Sequence, residues 1–193
     1  MTQPRIRERD AVSCAAGLAV TALASTVARR HPAPDRWLFA LVNDHGEARP
    51  FRVLQQLGTP WVLPGTAVVA ALAGRRRLAL ASALALPLEK ALEVSIKKVR
   101  PAPRPLYVQP TVLRDDAPVE GGSFPSGHAA IAFAAAALVA PDLPSRARPA
   151  VLGAAAAAAV VRIGQGAHHP VDAVGGAALG VAVAAGLRSL VGR

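Results

Sequence analysis

Long runs of Ala, Val and Leu alternate along this chain with short clusters of Arg, Pro and Gly. A hydrocarbon core of about 30 Å takes about 20 apolar helical residues to cross. The apolar runs predict helical spans near 11–28, 54–74, 78–96, 127–140, 150–163 and 171–187, several of them short for that thickness. The triplet at 75–77 (RRR) stops the second abruptly. Pro101, Pro103 and Pro105 end the third, because proline has no amide hydrogen to donate. Residues 36–42 (RWLFALV) are too few to cross and are expected at the interface, with Trp37 at headgroup depth. The expected fold class is all-α: a polytopic membrane bundle of about six helices forming one domain over residues 1–193.

Composition sharpens this picture. The chain is 52% hydrophobic but only 4% aromatic, and 17 prolines and 16 glycines punctuate it, which suits a polytopic membrane protein better than a soluble core. A formal charge of +10 raises the question of nucleic acid. No aromatic residues interleave with the basic ones as they do in single-strand binders, so basic loops on a membrane protein are the better reading. Cys14 is alone and forms no internal disulfide, and no apolar run precedes it as a lipoprotein cysteine requires. Residues 1–10 followed by 11–28 also fit a cleaved leader, although further spans follow and a first membrane anchor serves as well.

Three polar stretches interrupt the apolar sequence: 97–105 (KKVRPAPRP), 123–128 (SFPSGH) and 162–172 (RIGQGAHHPVD). Two spans separate the second from the third, and an even number of crossings returns the chain to the same side, so all three can meet. Glu89, Glu93 and Lys97 recur every four residues and share a helix face. That face either lines the approach to a buried site or projects into water at the helix end. Gly176 and Gly180 permit close helix approach, within the bundle or between two copies.

The residue types suit a phosphate ester. Its dianion needs several donors, and its cleavage needs a nucleophile and an acid for the leaving group. Lys97, Arg104 and Arg162 supply cations, and an arginine fork binds two phosphate oxygens at once. Ser126 is placed to cap a helix whose first amides then face an anion, and Gly127 lets the backbone approach it. His128 stands beside that anion as a proton donor. Pro170 suits a helix start, which puts Asp172 in the first turn, close to His168 and His169. A carboxylate beside a histidine fixes its tautomer and makes the ring a competent nucleophile. Either neighbour fits that description. No cluster with zinc-ligand spacing is evident, so neither metal nor other cofactor is expected.

Lys97-x6-Arg104-Pro105, Pro125-Ser126-Gly127-His128 and Arg162-x5-His168-x3-Asp172 together resemble the signature of the type-2 phosphatidic acid phosphatase superfamily, the membrane lipid phosphate phosphatases. The resemblance covers roughly residues 90–175. Two positions depart from it: Val161 stands where a small hydroxyl residue is usual, and Val171 where Ser or Thr is common. The resemblance selects His168 over His169 as the nucleophile. It implies a phosphohistidine, with His128 protonating the leaving oxygen and Asp172 supporting His168. Lys97, Arg104, Ser126, Gly127 and Arg162 would hold the phosphate. The expected substrate is a lipid phosphate or diphosphate in the bilayer: a polyprenyl phosphate or diphosphate, phosphatidate, or a prenyl-sugar phosphate. Hydrolysis of a soluble phosphate ester is the alternative, and a non-catalytic lipid-binding or transport protein the more distant one. Vanadium haloperoxidases share the residue pattern, but the closely spaced apolar runs here argue against that chemistry.

With six spans, the N-terminus, the loops holding 75–77 and Arg146, and the C-terminus share one side, which Arg5, Arg7, Arg9 and the 75–77 triplet make basic. The positive-inside rule then makes that side cytoplasmic in a bacterial-type cell membrane and turns the site outward. Arg29, Arg30, Arg36, Arg49 and Arg52 fall on the outer side, against the rule.

Overall fold

A computed structural model describes residues 3–45, 49–114 and 117–191, and these contain helices and turns but no strand. Asp115 and Asp116 of the long polar loop lie outside the described residues. The helices are α1 (Gln3–Ala28), α2 (Ala33–Asp44), α3 (Val62–Leu72), α4 (Arg76–Val99), α5 (Gly127–Val139), α6 (Arg148–Gly164) and α7 (Pro170–Val191). A 3-10 segment, Arg49–Gly58, precedes α3. Five of the six expected spans fall on single helices. The second does not: 54–74 divides between the 3-10 segment and α3, because Gly58, Thr59 and Pro60 interrupt the helical hydrogen bonding. The interfacial stretch at 36–42 lies within α2, with Trp37 exposed.

By length and composition, three helical stretches among the described residues can cross a membrane alone: Arg7–Ala28, Ser145–Gly164 and Pro170–Val191. Val62–Leu72 and Gly127–Asp142 are apolar but shorter. Helix α4 is long enough at 24 residues, but it carries Glu89, Lys90, Glu93 and Lys97 on its second half. Large apolar side chains point outward along the bundle, including Leu23, Val69, Leu72, Leu80, Val160 and Leu190, as a surface wetted by lipid requires.

Helix α7 runs between α1 and α5, and α4 packs against both α5 and α7. These contacts are close because the facing residues are small. Helix α5 buries an almost continuous series of alanines around Ile131 and Leu138, and α7 meets it through Leu179, Val183, Ala184 and Leu187. At Gly176 and Gly180 there is no room for a side chain, since the α5 backbone at Ser126 and Ala130 lies directly against them. The Gly176-x3-Gly180 pair therefore serves a contact inside the bundle.

Each end of the bundle has its own fastening. At one end Arg188 of α7 pairs with Asp10 of α1 at 2.7 Å and donates to the carbonyl of Ala137 near the end of α5. Arg75 and Asp142 approach to 3.5 Å at that same end. The last turn of α4 and α6 and the first turn of α5 and α7 gather at the other end, where all three polar stretches meet.

Substituting Gly180 with Val is expected to lower the melting temperature in detergent. Overpacking of this kind costs about 1–3 kcal/mol, and each kcal/mol shifts a chain of this size by about 2–4 °C. Gly153→Ala, at a position where an added Cβ meets nothing within 4 Å, is the matched control and should leave the transition in place. Equal melting of the two variants would show that the α5–α7 seam tolerates bulk.

Candidate active site

Pro170 starts α7 and places Asp172 in its first turn, as the sequence suggests. Asp172 is fully buried, and three neighbours converge on its Oδ2. Ser123 Oγ donates to it at 2.5 Å, the His169 amide donates at 2.8 Å, and His168 Nδ1 stands 3.8 Å away. Ser123 Oγ also lies 3.5 Å from His168 Nδ1. The backbone carbonyl of Asp172 accepts from the Ser126 amide at 3.0 Å, which joins the second polar stretch to the third.

Ser126 caps α5 through its own oxygen, which accepts from the Ala129 amide at 3.5 Å. Gly127 follows at the first helical position. A Cβ there would stand 2.7 Å from both carboxylate oxygens of Glu93, so a larger residue would have to push the Glu93 side chain aside. His128, half-buried in the same first turn, has its backbone against Gly58 at the end of the 3-10 segment.

The cations arrive from three directions. Lys97 Nζ donates to Glu93 Oε1 at 2.6 Å, and Lys90 pairs with the other oxygen of that carboxylate. Glu89 and Glu93 are buried, so the polar face of α4 turns into the bundle. Arg104 is buried as well, and it is held by backbone: Nε donates to Glu120 O at 2.7 Å and a terminal nitrogen to Ala167 O at 3.0 Å. The second of these fixes the residue just before His168. Arg162, on the last turn of α6, donates to Gln165 Oε1 at 2.7 Å and Gln55 Oε1 at 3.1 Å.

Four residues at this end carry no signal in the sequence. Gln55 and Gln165 bridge Arg162 to the 3-10 segment, and their side chains bond to each other at 2.9 Å. Asn43 donates to Val112 O and Gly164 O, and Arg114 to Asn43 O and Gly164 O, so that α2, the long loop and the end of α6 are tied together. Such residues show themselves only through partners far away in sequence.

Burial governs the histidines. It pushes the pKa of His168 below its ordinary value, outweighing the hydrogen bond and charge of Asp172 that act the other way. His169 is pushed down to about 4, again chiefly by burial. Both rings are thus neutral at pH 7. Burial also lowers the pKa of Arg104, against the attraction of Asp172. His169 is completely enclosed, with its ring centroid 4.1 Å from that of His31 and 5.1 Å from that of Phe39.

Residues 75–193 match the PAP2 superfamily. No curated protein matches the chain. Among solved structures, the fold is similar to the crystal structure of Aquifex aeolicus LpxE, with 27% sequence identity and a TM-score of 0.68 over 79% of this chain and 92% of that one. The superfamily match takes in well over half of the chain and contains all three polar stretches, and the shared bundle carries the likeness beyond it: this protein belongs to the PAP2 superfamily, as a membrane phosphatase of the lipid phosphate kind.

Proposed function

We propose that this chain hydrolyses the phosphate or diphosphate ester of a bilayer lipid, without a metal, through a phosphohistidine at His168. The observation that carries this reading is the buried Asp172–His168 pair with Arg104 bonded to the carbonyl just before it. His168 Nδ1 faces Asp172 and Ser123, which leaves Nε2 as the nitrogen with a lone pair for phosphorus. Attack forms the N–P bond as the bond from phosphorus to the lipid oxygen breaks, and His128 gives its proton to that oxygen. Water then attacks the phosphohistidine, His128 takes a proton from it, the N–P bond breaks, and inorganic phosphate leaves.

Lys97, Arg104, Arg162, Ser126 and Gly127 are assigned to the equatorial oxygens, whose charge grows in the transition state. An arginine fork already locked by its own backbone contacts loses little freedom on binding phosphate. A lipid substrate is favoured over a soluble ester by the apolar exterior, which continues to the site end through Leu57, Trp61 and Val99. Polyprenyl phosphates and diphosphates, phosphatidate and prenyl-sugar phosphates all present such a headgroup at the bilayer surface. His169, enclosed by His31 and Phe39, is poorly placed for attack, which supports His168 as the nucleophile. The positive-inside rule favours an outward-facing site in a bacterial-type cell membrane, because Arg75, Arg76, Arg77 and Arg188 gather at the opposite end.

Rapid quench of the purified protein with a labelled lipid phosphate in EDTA should trap an acid-labile phosphoenzyme. His168→Ala should abolish it, while His128→Ala should bind substrate with turnover reduced by several orders of magnitude. Near-normal turnover by the His168 variant, or loss confined to a His169→Ala variant, would move the nucleophile. Labelled phosphate bound but never released would instead mark a non-catalytic binder.

The nucleophile must be neutral, and burial lowers the pKa of His168 from its ordinary 6.5, so neutral ring persists on the acid side of that value. After correction for ionisation of the substrate, the acid limb of kcat/KM is expected below pH 6.5. A limb at or above that pH contradicts a buried, neutral His168.

Orientation is read by single cysteines at Ala117 and Ala147 in a Cys14→Ser background, exposed on intact cells to an impermeant thiol reagent. The cysteine at 117 should label and that at 147 should not. The opposite pattern reverses the topology.

A further inference from the structure

Behind the proposed nucleophile, where the turn between α1 and α2 and the start of α2 meet the loop before α7, lies a second cluster of polar groups that the hydrolysis does not use. His31, Asp35 and His169 each direct one ligand-type atom into a common space, with those atoms all within 4.8 Å of one another. His31 and His169 are buried, and the Asp35 side chain is only 7% exposed. Both ring nitrogens of His31, both of His169 and Oδ2 of Asp35 make no hydrogen bond. Five buried polar atoms without hydrogen bonds on three adjoining side chains are costly, since each has given up its water. His31 also holds φ at 41°, a left-handed conformation uncommon outside glycine, to bring its ring to this place.

We propose that His31, Asp35 and His169 bind one divalent transition-metal ion of the zinc type, which clasps the α1–α2 turn to the catalytic loop without touching substrate. Two imidazoles and a carboxylate form a donor set that zinc accepts, with water completing a tetrahedral shell. Ligation at about 2.0–2.2 Å sets tetrahedral ligand atoms about 3.4 Å apart, so atoms now within 4.8 Å of one another must draw together by up to about 1.4 Å, which side-chain rotation supplies. The outer contacts are already in place. Asp35 Oδ1 accepts from the Val171 amide at 2.9 Å, which leaves Oδ2 for the ion, and Asp172 Oδ2 lies 4.0 Å from His169 Nδ1. Carboxylates in such positions orient ligating imidazoles. His169 is bonded in sequence to His168, and Asp35 holds the first turn of α7, so an ion here steadies the nucleophile from behind.

The proposal stands apart from the phosphatase reading, and its test reads metal rather than turnover. Untagged protein in detergent is stripped with chelator and titrated with Co²⁺, whose visible absorption reports the ligand field. One Co²⁺ per chain is expected, displaced by Zn²⁺, with the melting temperature raised by about 5 °C at saturation. His31→Gln and Asp35→Asn should each weaken binding at least about tenfold. His128→Ala, in the catalytic pocket, should bind Co²⁺ as the wild type does. Absence of both the absorption band and the melting shift in the wild type overturns the proposal, whatever the variants do. So does binding that survives in His31→Gln and Asp35→Asn, or that is lost in His128→Ala, which would place the ion in the phosphate pocket.

Discussion

A carboxylate with no access to water is stable only when donors reach it, and Asp172 draws donors to its Oδ2 from two separate segments. Ser123 comes from the loop before α5, the His169 amide from the turn before α7, and His168 offers its ring. The main chain of the same residue holds Ser126. One buried charge therefore sets the position of the α5 cap, the orientation of the histidine ring and the entry of α7. Removing it would leave Ser123 and the His169 amide without an acceptor, a penalty in stability as well as in chemistry.

Arginine and lysine share the proposed phosphate pocket on unequal terms. Arg104 is anchored to carbonyls of two different loops, so its position follows the backbone. Lys97 is paired with Glu93, which in turn fills the space left open by Gly127. A glycine in one helix, a carboxylate in another and an ammonium one turn further on thus form a single packed unit. The carboxylate keeps buried cations tolerable before any phosphate arrives, since like charges gathered without it would repel.

Much of this was legible in the sequence because its signals are local. Apolar runs mark α1, α4, α5, α6 and α7, Ser126 and Pro170 mark helix starts, and the spacing from Arg162 to Asp172 lies within one turn region. The divided second span escaped because Val53, Leu54 and Leu57 lead toward the apolar run that follows Pro60, and the backbone shows the break between them. Asn43, Gln55 and Arg114 escaped for another reason. Asn43 meets Val112 and Gly164 across 69 and 121 positions, and Asp35 meets Val171 across 136, distances over which local pattern carries no information. The cluster of His31, Asp35 and His169 escaped for the same reason: two of its residues lie at the start of α2 or just before it, and the third just before α7.

The seam between α5 and α7 has a consequence for how such a site can diversify. His128 rides on one of these helices and Asp172 on the other, and backbone lies against glycine between them. The separation of His128, the proposed acid, from Asp172, the proposed support of the nucleophile, is consequently fixed by main-chain geometry, which point mutation alters only by breaking the fit. Adaptation to a bulkier or slimmer headgroup is left to the segments that border the pocket from outside the seam, above all the 3-10 segment bearing Gln55 and the long loop between α4 and α5. The proposed chemistry and the choice of headgroup are then separable, one held in place by steric fit at the seam and the other set along the rim.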